Sequence, residues 1–362
     1  MKTTFFYPYP DEIQRIDSID YDDFSFWGEN KCTRRRAWVV RTYRLLWEKG
    51  CHVALSASLP TEGVVVLLPE DHILDCFRSS IRSKKNNLKK LFVVTIRADI
   101  LEYRYPLADL DITQNGRFAD GRRTLFVPHW PQFGLVPRNS DRGSRIENIV
   151  FKGRAGSLSE EFWSPEWKKE LKDRGLFFHI SGSCTDRAFQ NWHDYSAADL
   201  SLAVRPCFED GGLRCEKPAS KLINAWHAGV PSLVGREYAF LELRESPLDY
   251  IEVQSPADAL AAIDRLLADP SLYLSMIEQG RKRAAEFSEQ KIVDRWAEVL
   301  FEHVPNLIDT PSHQWSRSLP LPLRQVANVA LAPPSLFELR KQVGSAVRRA
   351  RVAGGRALQS LS

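Results

Sequence analysis

The stretch that decides the fold is Glu216-Lys217-Pro218-Ala219-Ser220-Lys221-Leu222-Ile223-Asn224-Ala225-Trp226-His227-Ala228-Gly229-Val230-Pro231. It reads as one short helix with a start, a stop and a strand after it. Pro218 suits a first helical turn, where its missing N–H is not needed. Gly229 suits the left-handed residue just past the last turn, and Pro231 prevents resumption. Ser232-Leu233-Val234 then continues as a short buried strand. Leu222, Ala225, Trp226 and Ala228 share the face that meets a sheet. Glu216, Ser220 and Lys221 are left as polar groups at the lead-in, with Asn224 one turn further on.

A helix N-terminus presents free N–H groups and a positive partial charge, so it attracts phosphate. Lys221 adds a full charge and Ser220 a donor. Glu216 and Asn224 are placed to hydrogen-bond sugar hydroxyls. Taken singly, each has a plainer explanation: a solvated helix lysine, or a glutamate complementing the dipole. Their combination in one stretch is what points to a phosphate-bearing ligand.

The stretch resembles the nucleotide-sugar-binding helix of GT-B glycosyltransferases, especially the family 4-like retaining enzymes, with their Pro-x-Lys-Leu-x-Glu-x-x-x-x-Gly-x-Pro pattern. Residues 218–231 match it with one more residue between Pro218 and Lys221. The family's second glutamate is replaced by Asn224, so its Glu-x7-Glu reads Glu216-x7-Asn224 here. Asn accepts a ribose hydroxyl but carries no charge. The resemblance covers roughly residues 33–300 and is strongest from 148 to 290.

The whole chain sets bounds on this reading. At 362 residues it has room for two domains with separate cores. A hydrophobic content of 43% and a charged content of 27% are ordinary for a globular protein. A net charge of +4 does not call for nucleic acid. No run of 18 apolar residues suggests a membrane span, and Met1 to Pro8 lacks the features of a signal peptide. The six cysteines (32, 51, 76, 184, 207 and 215) form no CxxC pair, so reduced thiols in the cytosol are expected.

Along the first half, residues 1–30 read as irregular and aromatic. The resembling family has a glycine-bearing loop there that faces acceptor and donor; Gly28-Glu29-Asn30 is either a candidate for that loop or part of an aromatic-packed extension. Thr33 to Lys49 reads as a helix capped by Thr33 and ended by Gly50. Its Arg34, Arg35 and Arg36 oppose the macrodipole, which suggests an anionic partner such as lipid headgroups, or simply a solvated face. Strands are expected at 52–55, 64–68, 91–96, 108–113 and 124–128, their continuous apolar runs indicating a parallel sheet covered on both faces. Ligands bind at the carboxyl ends of such strands. Where the family often has a histidine after the third strand, this chain has Arg97 and Asp99. His129-Trp130-Pro131 matches the loop closing the first domain, and residues 137–147 read as a polar linker.

The second half restarts the alternation, with strands expected at 148–151, 176–180, 198–204, 232–234 and 250–253. Gly153-Arg154 follows the first of them and matches the family's Gly-Arg turn, in which glycine permits close approach and arginine binds diphosphate. Residues 186–198 read as a helix. Arg205 stands at the carboxyl end of the strand resembling the family's Ala-Asp-Leu strand. The following loop, 207–215, offers Glu209 and Asp210 to sugar hydroxyls or to solvent alike. Ser255-Pro256-Ala257-Asp258 and Asp269-Pro270 start helices. Residues 305–334 read as Pro-rich and irregular. Residues 335–362 carry six basic residues and one acidic, net +5, and form an amphipathic pattern suited to an anionic membrane or to the protein body.

The expected fold is α/β of the GT-B type: two Rossmann-like domains facing across a cleft, with C-terminal helices. Residues 1–145 would form the acceptor domain and 146–304 the nucleotide-sugar domain. An irregular linker and basic amphipathic helix would occupy 305–362. The resemblance implies transfer of a hexose-type sugar, with retention, from a nucleotide-diphosphate donor to a glycan or lipid-linked acceptor, as in polysaccharide biosynthesis. It implies Lys221, Arg154 and Arg97 as catalytic groups, and Gly153, Arg205, Glu209, Glu216, Ser220 and Asn224 as donor contacts. No metal and no cofactor beyond the nucleotide sugar are expected, because cations already stand at the diphosphate. The place of action would be the cytoplasm, peripherally on the inner face of a membrane. A sugar-nucleotide epimerase of the same fold, or a non-catalytic nucleotide- or glycan-binding module, are the alternatives.

Overall fold

The computed structural model describes residues 1–16, 18–20, 34–84, 88–98, 105–181, 192–206 and 217–331. The expected loop at Gly28-Glu29-Asn30, the cap at Thr33, Asp99, Glu209, Asp210, Glu216 and the basic segment 335–362 lie outside them.

The first sheet is parallel throughout, in the order β2-β1-β3-β4-β5-β6. Its strands are β1 (Thr3–Phe6), β2 (Val53–Ser56), β3 (Gly63–Leu67), β4 (Leu91–Ala98), β5 (Leu110–Thr113) and β6 (Thr124–Phe126). The expectation of an irregular N-terminus is corrected here. Thr3-Thr4-Phe5-Phe6 is a central strand, with Thr3 opposite both Val53 and Val64. Four consecutive β-branched and aromatic residues, all buried, are what a strand covered on both faces requires. Gly63, at φ +95°, lets β3 start against β1: a β-carbon there would lie 2.5 Å from the Lys2 carbonyl oxygen.

Helix α1 (Pro10–Ile16), a wide turn at Arg36–Val40 with α2 (Arg41–Glu48), and α3 (Asp71–Lys84) belong to this half. The arginines near the start of the second of these meet acids of the chain itself. Arg36 Nε donates to Glu12 at 3.2 Å, and Arg41 pairs with Glu289. Gly50 ends α2 as expected, at φ +86°. Trp47, near the end of α2, is exposed.

The second sheet is also parallel, in the order β11-β10-β9-β7-β8. It comprises β7 (Asn148–Lys152), β8 (Phe177–Ser181), β9 (Leu200–Ala203), β10 (Ser232–Val234) and β11 (Ile251–Glu252). Its helices are α4 (Pro165–Asp173), α5 (Ser220–Ala228), α6 (Tyr238–Leu241), α7 (Pro256–Ala268) and α8 (Pro270–Glu286). Ser255 and Asp258 cap α7 reciprocally, and Asp269 caps α8. The part of 186–198 that is described, 192–198, is not helical; a bridge joins Asp194 to Val136 instead. β7 is followed on one side by β8 and on the other by β9, so the strand order reverses between β7 and β9. A crevice opens at such a reversal.

The linker 137–147 is pinned to the second half by buried Asp199. Its carboxylate accepts from Arg138 at 2.9 Å, from Arg142 at 2.7 Å and from the backbone N–H groups of Glu147 and Asn148. Burial alone would raise the Asp199 pKa, but these donors hold it below the usual carboxylate value.

After α8 the chain returns to the first half. In α9 (Glu289–Glu298), and in the turn Val299–His303 leading to α10 (Val304–Ile308), Ile292, Val293, Trp296, Val299, Leu300 and Val304 join the core of the first sheet. Two further helices, α11 (Pro311–Ser318) and α12 (Leu321–Leu331), follow on that side. The irregular stretch expected at 305–334 is thus largely helical. Pro311 and Pro322 fall in first turns, where the absent N–H costs nothing, and Pro305 falls where the wide turn Val299–His303 passes into α10. Among the described residues, no helix is long and apolar enough to cross a membrane.

Candidate functional site

Helix α5 starts at Ser220, with Ala219, which has no side-chain acceptor, at the cap position. Pro218 therefore precedes the helix rather than entering its first turn. Among the described residues no side chain caps the opening N–H groups, which suits them to meet a ligand. At the other end Gly229 adopts the left-handed conformation, φ 68° and ψ 37°, and Val230 N–H donates to the Ala225 carbonyl at 2.9 Å. Leu222, Ala225, Trp226 and Ala228 are buried, so the apolar face is seated on the sheet and the N-terminus is held in place.

Lys221 extends from this start towards the turn after β7. A β-carbon on Gly153 would sit 2.9 Å from Lys221 Cε and 3.1 Å from its Nζ. The ammonium lies 5.3 Å from the centroid of the Phe151 ring. Lys221 is half-buried as a residue, and its pKa is lowered to about 7. Burial is the main cause. The positive charges of Arg205 and Lys217 act in the same direction, while Glu237 opposes them. A lysine with a lowered pKa among other cations is a site short of negative charge.

Arg205 stands past the end of β9, across the strand-order reversal from Gly153. It is buried and ion-paired with buried Glu237, the residue before α6. Arg154 is exposed, its backbone extended at φ −63° and ψ 134°, at the head of the same turn as Gly153. Lys152, the last residue of β7, reaches Ser181 Oγ at 3.3 Å, and burial lowers its pKa to about 8. The structure thus brings Gly153, Ser220, Lys221 and Arg205 to one edge of the second sheet.

Two expected site residues have other partners. Asn224 Oδ1 accepts the Gln132 backbone N–H at 2.9 Å, so it ties α5 to the loop after β6. Arg97 lies buried within β4 of the other sheet, its guanidinium 5.5 Å from the Phe118 ring centroid. Ala98 follows at φ +49°, a left-handed conformation at the strand's carboxyl end. Phe118 belongs to the loop that crosses to the second half. There, Asn115 Nδ2 donates to the Lys217 carbonyl at 3.3 Å and Gly116 N–H donates to Glu242 at 2.9 Å. Arg117 stacks over Tyr238, 4.0 Å from its ring centroid. Burial raises the Glu242 pKa, with the Gly116 and Arg117 N–H groups opposing the rise. Arg97 therefore supports this bridging loop.

Glu237, Lys152 and the Asn115–Arg117 loop were not anticipated from sequence. A signal existed for Glu237, which follows β10 at the carboxyl edge of the sheet. Among the described residues, no group of three or more His, Cys, Asp or Glu side chains converges as a metal site needs.

No protein-family model and no curated protein sequence matches the chain. Solved structures do resemble it. Sucrose-phosphate synthase from Thermosynechococcus elongatus superposes with a TM-score of 0.51 at 12% identity, over 84% of this chain and 100% of that one. HepE from Anabaena, in complex with UDP and glucose, gives 0.47 at 11% identity, over 83% and 99%. The pneumococcal O-GlcNAc transferase GtfA, in complex with UDP and GlcNAc, gives 0.46 at 14% identity, over 76% of this chain and 61% of that one. With two parallel sheets meeting at their carboxyl edges, the chain has the GT-B fold.

Proposed function

We propose that this protein is a glycosyltransferase that moves a hexose-type sugar from a nucleoside-diphosphate donor to a glycan or lipid-linked acceptor. One observation carries the reading. The uncapped start of α5 and the side chain of Lys221 converge beside the Gly153 turn, at the strand-order reversal of the second sheet. A diphosphate there would meet backbone N–H groups, Lys221 and Arg154, and would supply the negative charge that Lys221 lacks. As the sugar–oxygen bond breaks, negative charge grows on the leaving diphosphate. Fixed cations and N–H dipoles stabilise that charge most in the transition state. The acceptor would approach from the first half, past the Asn115–Arg117 loop. Retention of anomeric configuration rests on the resemblance of residues 218–231 alone.

Asn224 favours a second reading, a binding module without turnover, because its carbonyl oxygen is already taken by Gln132. One experiment separates the two. Nucleoside diphosphates (UDP, GDP, ADP, dTDP) should stabilise the fold, by about 2.7 kcal/mol at a free concentration about a hundredfold above Kd. Mass spectrometry after incubation with the matching donor sugar and extracted glycolipid should then show a glycosylated product. Stabilisation without any product supports the binding module, and no stabilisation by any diphosphate removes both readings.

A further inference from the structure

The loop after β5 is rooted in the first half and ends against the second, beside the start of α5. Its root is a bulge. The β4–β5 ladder shifts register between Ile96 and Ala98, which makes Arg97 the extra residue, and the Arg97 guanidinium underlies Phe118. The turn is held from within: Asn115 N–H donates to Thr113 Oγ1 at 3.3 Å, and Asn115 Oδ1 accepts the Arg117 N–H at 3.2 Å. Three contacts then cross between the halves. Asn115 Nδ2 donates to the Lys217 carbonyl at 3.3 Å, in the residue that leads through Pro218 into α5. Gly116 N–H donates at 2.9 Å to Glu242, which directly follows α6. Arg117 lies 4.0 Å from the ring centroid of Tyr238, the first residue of α6. A β-carbon on Gly116 would lie 2.8 Å from Glu242 Oε2, so the missing side chain is what lets the carboxylate approach.

We propose, on the diphosphate reading of α5, that Asn115, Gly116 and Arg117 are positioning residues through which the first half sets the phosphate site of the second. Both ends of the grip lead to a cation of that site. The Lys217 carbonyl is fixed just ahead of the opening N–H groups of α5 and of Lys221. At α6 the grip holds Tyr238 and Glu242, and Glu237, immediately before that helix, is buried and paired with Arg205. Cations and N–H groups already held in place bind an anion more tightly than groups that must be ordered on binding, because that ordering costs entropy. The coupling is reciprocal: a diphosphate at α5 steadies the loop as much as the loop favours the diphosphate.

The double variant Gly116→Ala, Arg117→Ala loosens the grip and spares the core. Gly116 has no left-handed backbone to strain, its new β-carbon meets only the flexible end of Glu242, and Arg117 is exposed. The melting temperature should therefore stay near that of the parent. Hydrogen exchange of the full chain without ligand is the first readout. The amides of Phe240 and Leu241, bonded to the Glu237 carbonyl, and of Ile223, bonded to the Ala219 carbonyl, should exchange faster by about fivefold or more. Those of β7 should keep the parent rate. Calorimetry with UDP, GDP, ADP and dTDP is the second: Kd for whichever diphosphate the parent binds should rise by about fivefold or more. Glu242→Ala should reproduce that loss, and Glu242→Gln, whose side-chain carbonyl still accepts the Gly116 N–H, should recover most of it. Unchanged exchange at Phe240, Leu241 and Ile223 overturns the proposal whether or not a ligand binds. Equal Kd in the parent and the double variant overturns it too. Failure of the parent to bind any diphosphate strikes the diphosphate reading instead, and the exchange rates still decide whether the loop orders α5 and α6.

Discussion

Gly153 and Lys221 occupy space that only a glycine leaves free: a β-carbon on residue 153 would lie 2.9 Å from Lys221 Cε. The two residues are far apart in sequence, yet the end of β7 and the start of α5 meet at this point. Gly153→Ala should therefore displace the lysine's flexible end rather than unfold the domain. Thermal denaturation should show a loss near the low end of overpacking costs, about 1 kcal/mol. Nucleoside-diphosphate affinity, read by calorimetry, should fall by about tenfold or more, the scale of one charge-assisted hydrogen bond. An unchanged affinity would mean that the lysine does not need its place beside Gly153.

Lys221→Ala should lower kcat by about a hundredfold or more, as when one donor to a developing anion is removed. Lys221→Arg keeps the charge but not the compact ammonium, so only part of the activity should return. If kcat is untouched and KM alone rises, the residue contributes uniform binding and not transition-state stabilisation.

The lowered pKa of Lys221, about 7 in the empty site, carries a pH signature. A diphosphate favours the ammonium form, so binding takes up a proton wherever the free lysine is neutral. Diphosphate affinity should weaken as pH rises above about 7, by up to about tenfold per pH unit. The same shift acts on folding in a definite direction. Between pH 7 and the ordinary lysine pKa the unfolded chain binds more protons, so this residue makes the empty protein more stable as pH rises through that window. Calorimetry in buffers of different ionisation enthalpy would report the uptake, and its absence in Lys221→Ala would assign it.

Glu237 holds buried Arg205 and raises the pKa of Lys221. Glu237→Gln preserves the shape and removes the charge. Lys221 should then lose its proton more easily, and the pH at which diphosphate affinity begins to weaken should move down. A glutamate that merely braced the fold would change the melting temperature and leave that profile in place.

Both sheets were legible because a parallel strand covered on two faces shows as a continuous apolar run, as in Val64 to Leu67 and Leu91 to Ile96. β1 escaped notice because Thr3-Thr4-Phe5-Phe6 is short and two of its residues are polar, although Thr is a good strand former. Helices α10 to α12 were hidden by Pro305, Pro311 and Pro322, which read as breakers, although Pro311 and Pro322 fall in first turns and Pro305 follows the wide turn Val299–His303. That Gly153, Ser220 and Lys221 would stand close together was legible, because one short motif and one turn carry them. The tie of Asn224 to Gln132 and the pairing of Glu237 with Arg205 were not legible, for a common reason. Their partners, Gln132 and Arg205, lie 92 and 32 residues away, and no local pattern encodes such a pairing.

Arg324 ties the tail to the first half, and its cost of removal should be large. It is almost fully buried, as is Asp109, and the two are paired at 2.5 Å. Arg324 also donates to the Leu88 and Leu91 carbonyls beside β4. Arg324→Ala takes the cation from a buried carboxylate, which typically destabilises by about 3–5 kcal/mol. The urea midpoint should fall while the slope stays unchanged, because the surface exposed on unfolding is nearly the same. Lys49 and Asp294, in contact at 2.7 Å between α2 and α9, are an internal control on the surface. Lys49→Ala should move the midpoint far less, because water screens that pair and solvates whichever partner remains. A double variant, Arg324→Met with Asp109→Asn, removes both buried charges and keeps an acceptor for the Val93 N–H, which Asp109 now serves at 2.8 Å. It should recover much of what Arg324→Ala loses, since the main penalty is the uncompensated charge. If the double variant is no more stable than Arg324→Ala, the guanidinium's bonds to the two carbonyls, and not its charge, are what hold the tail in place.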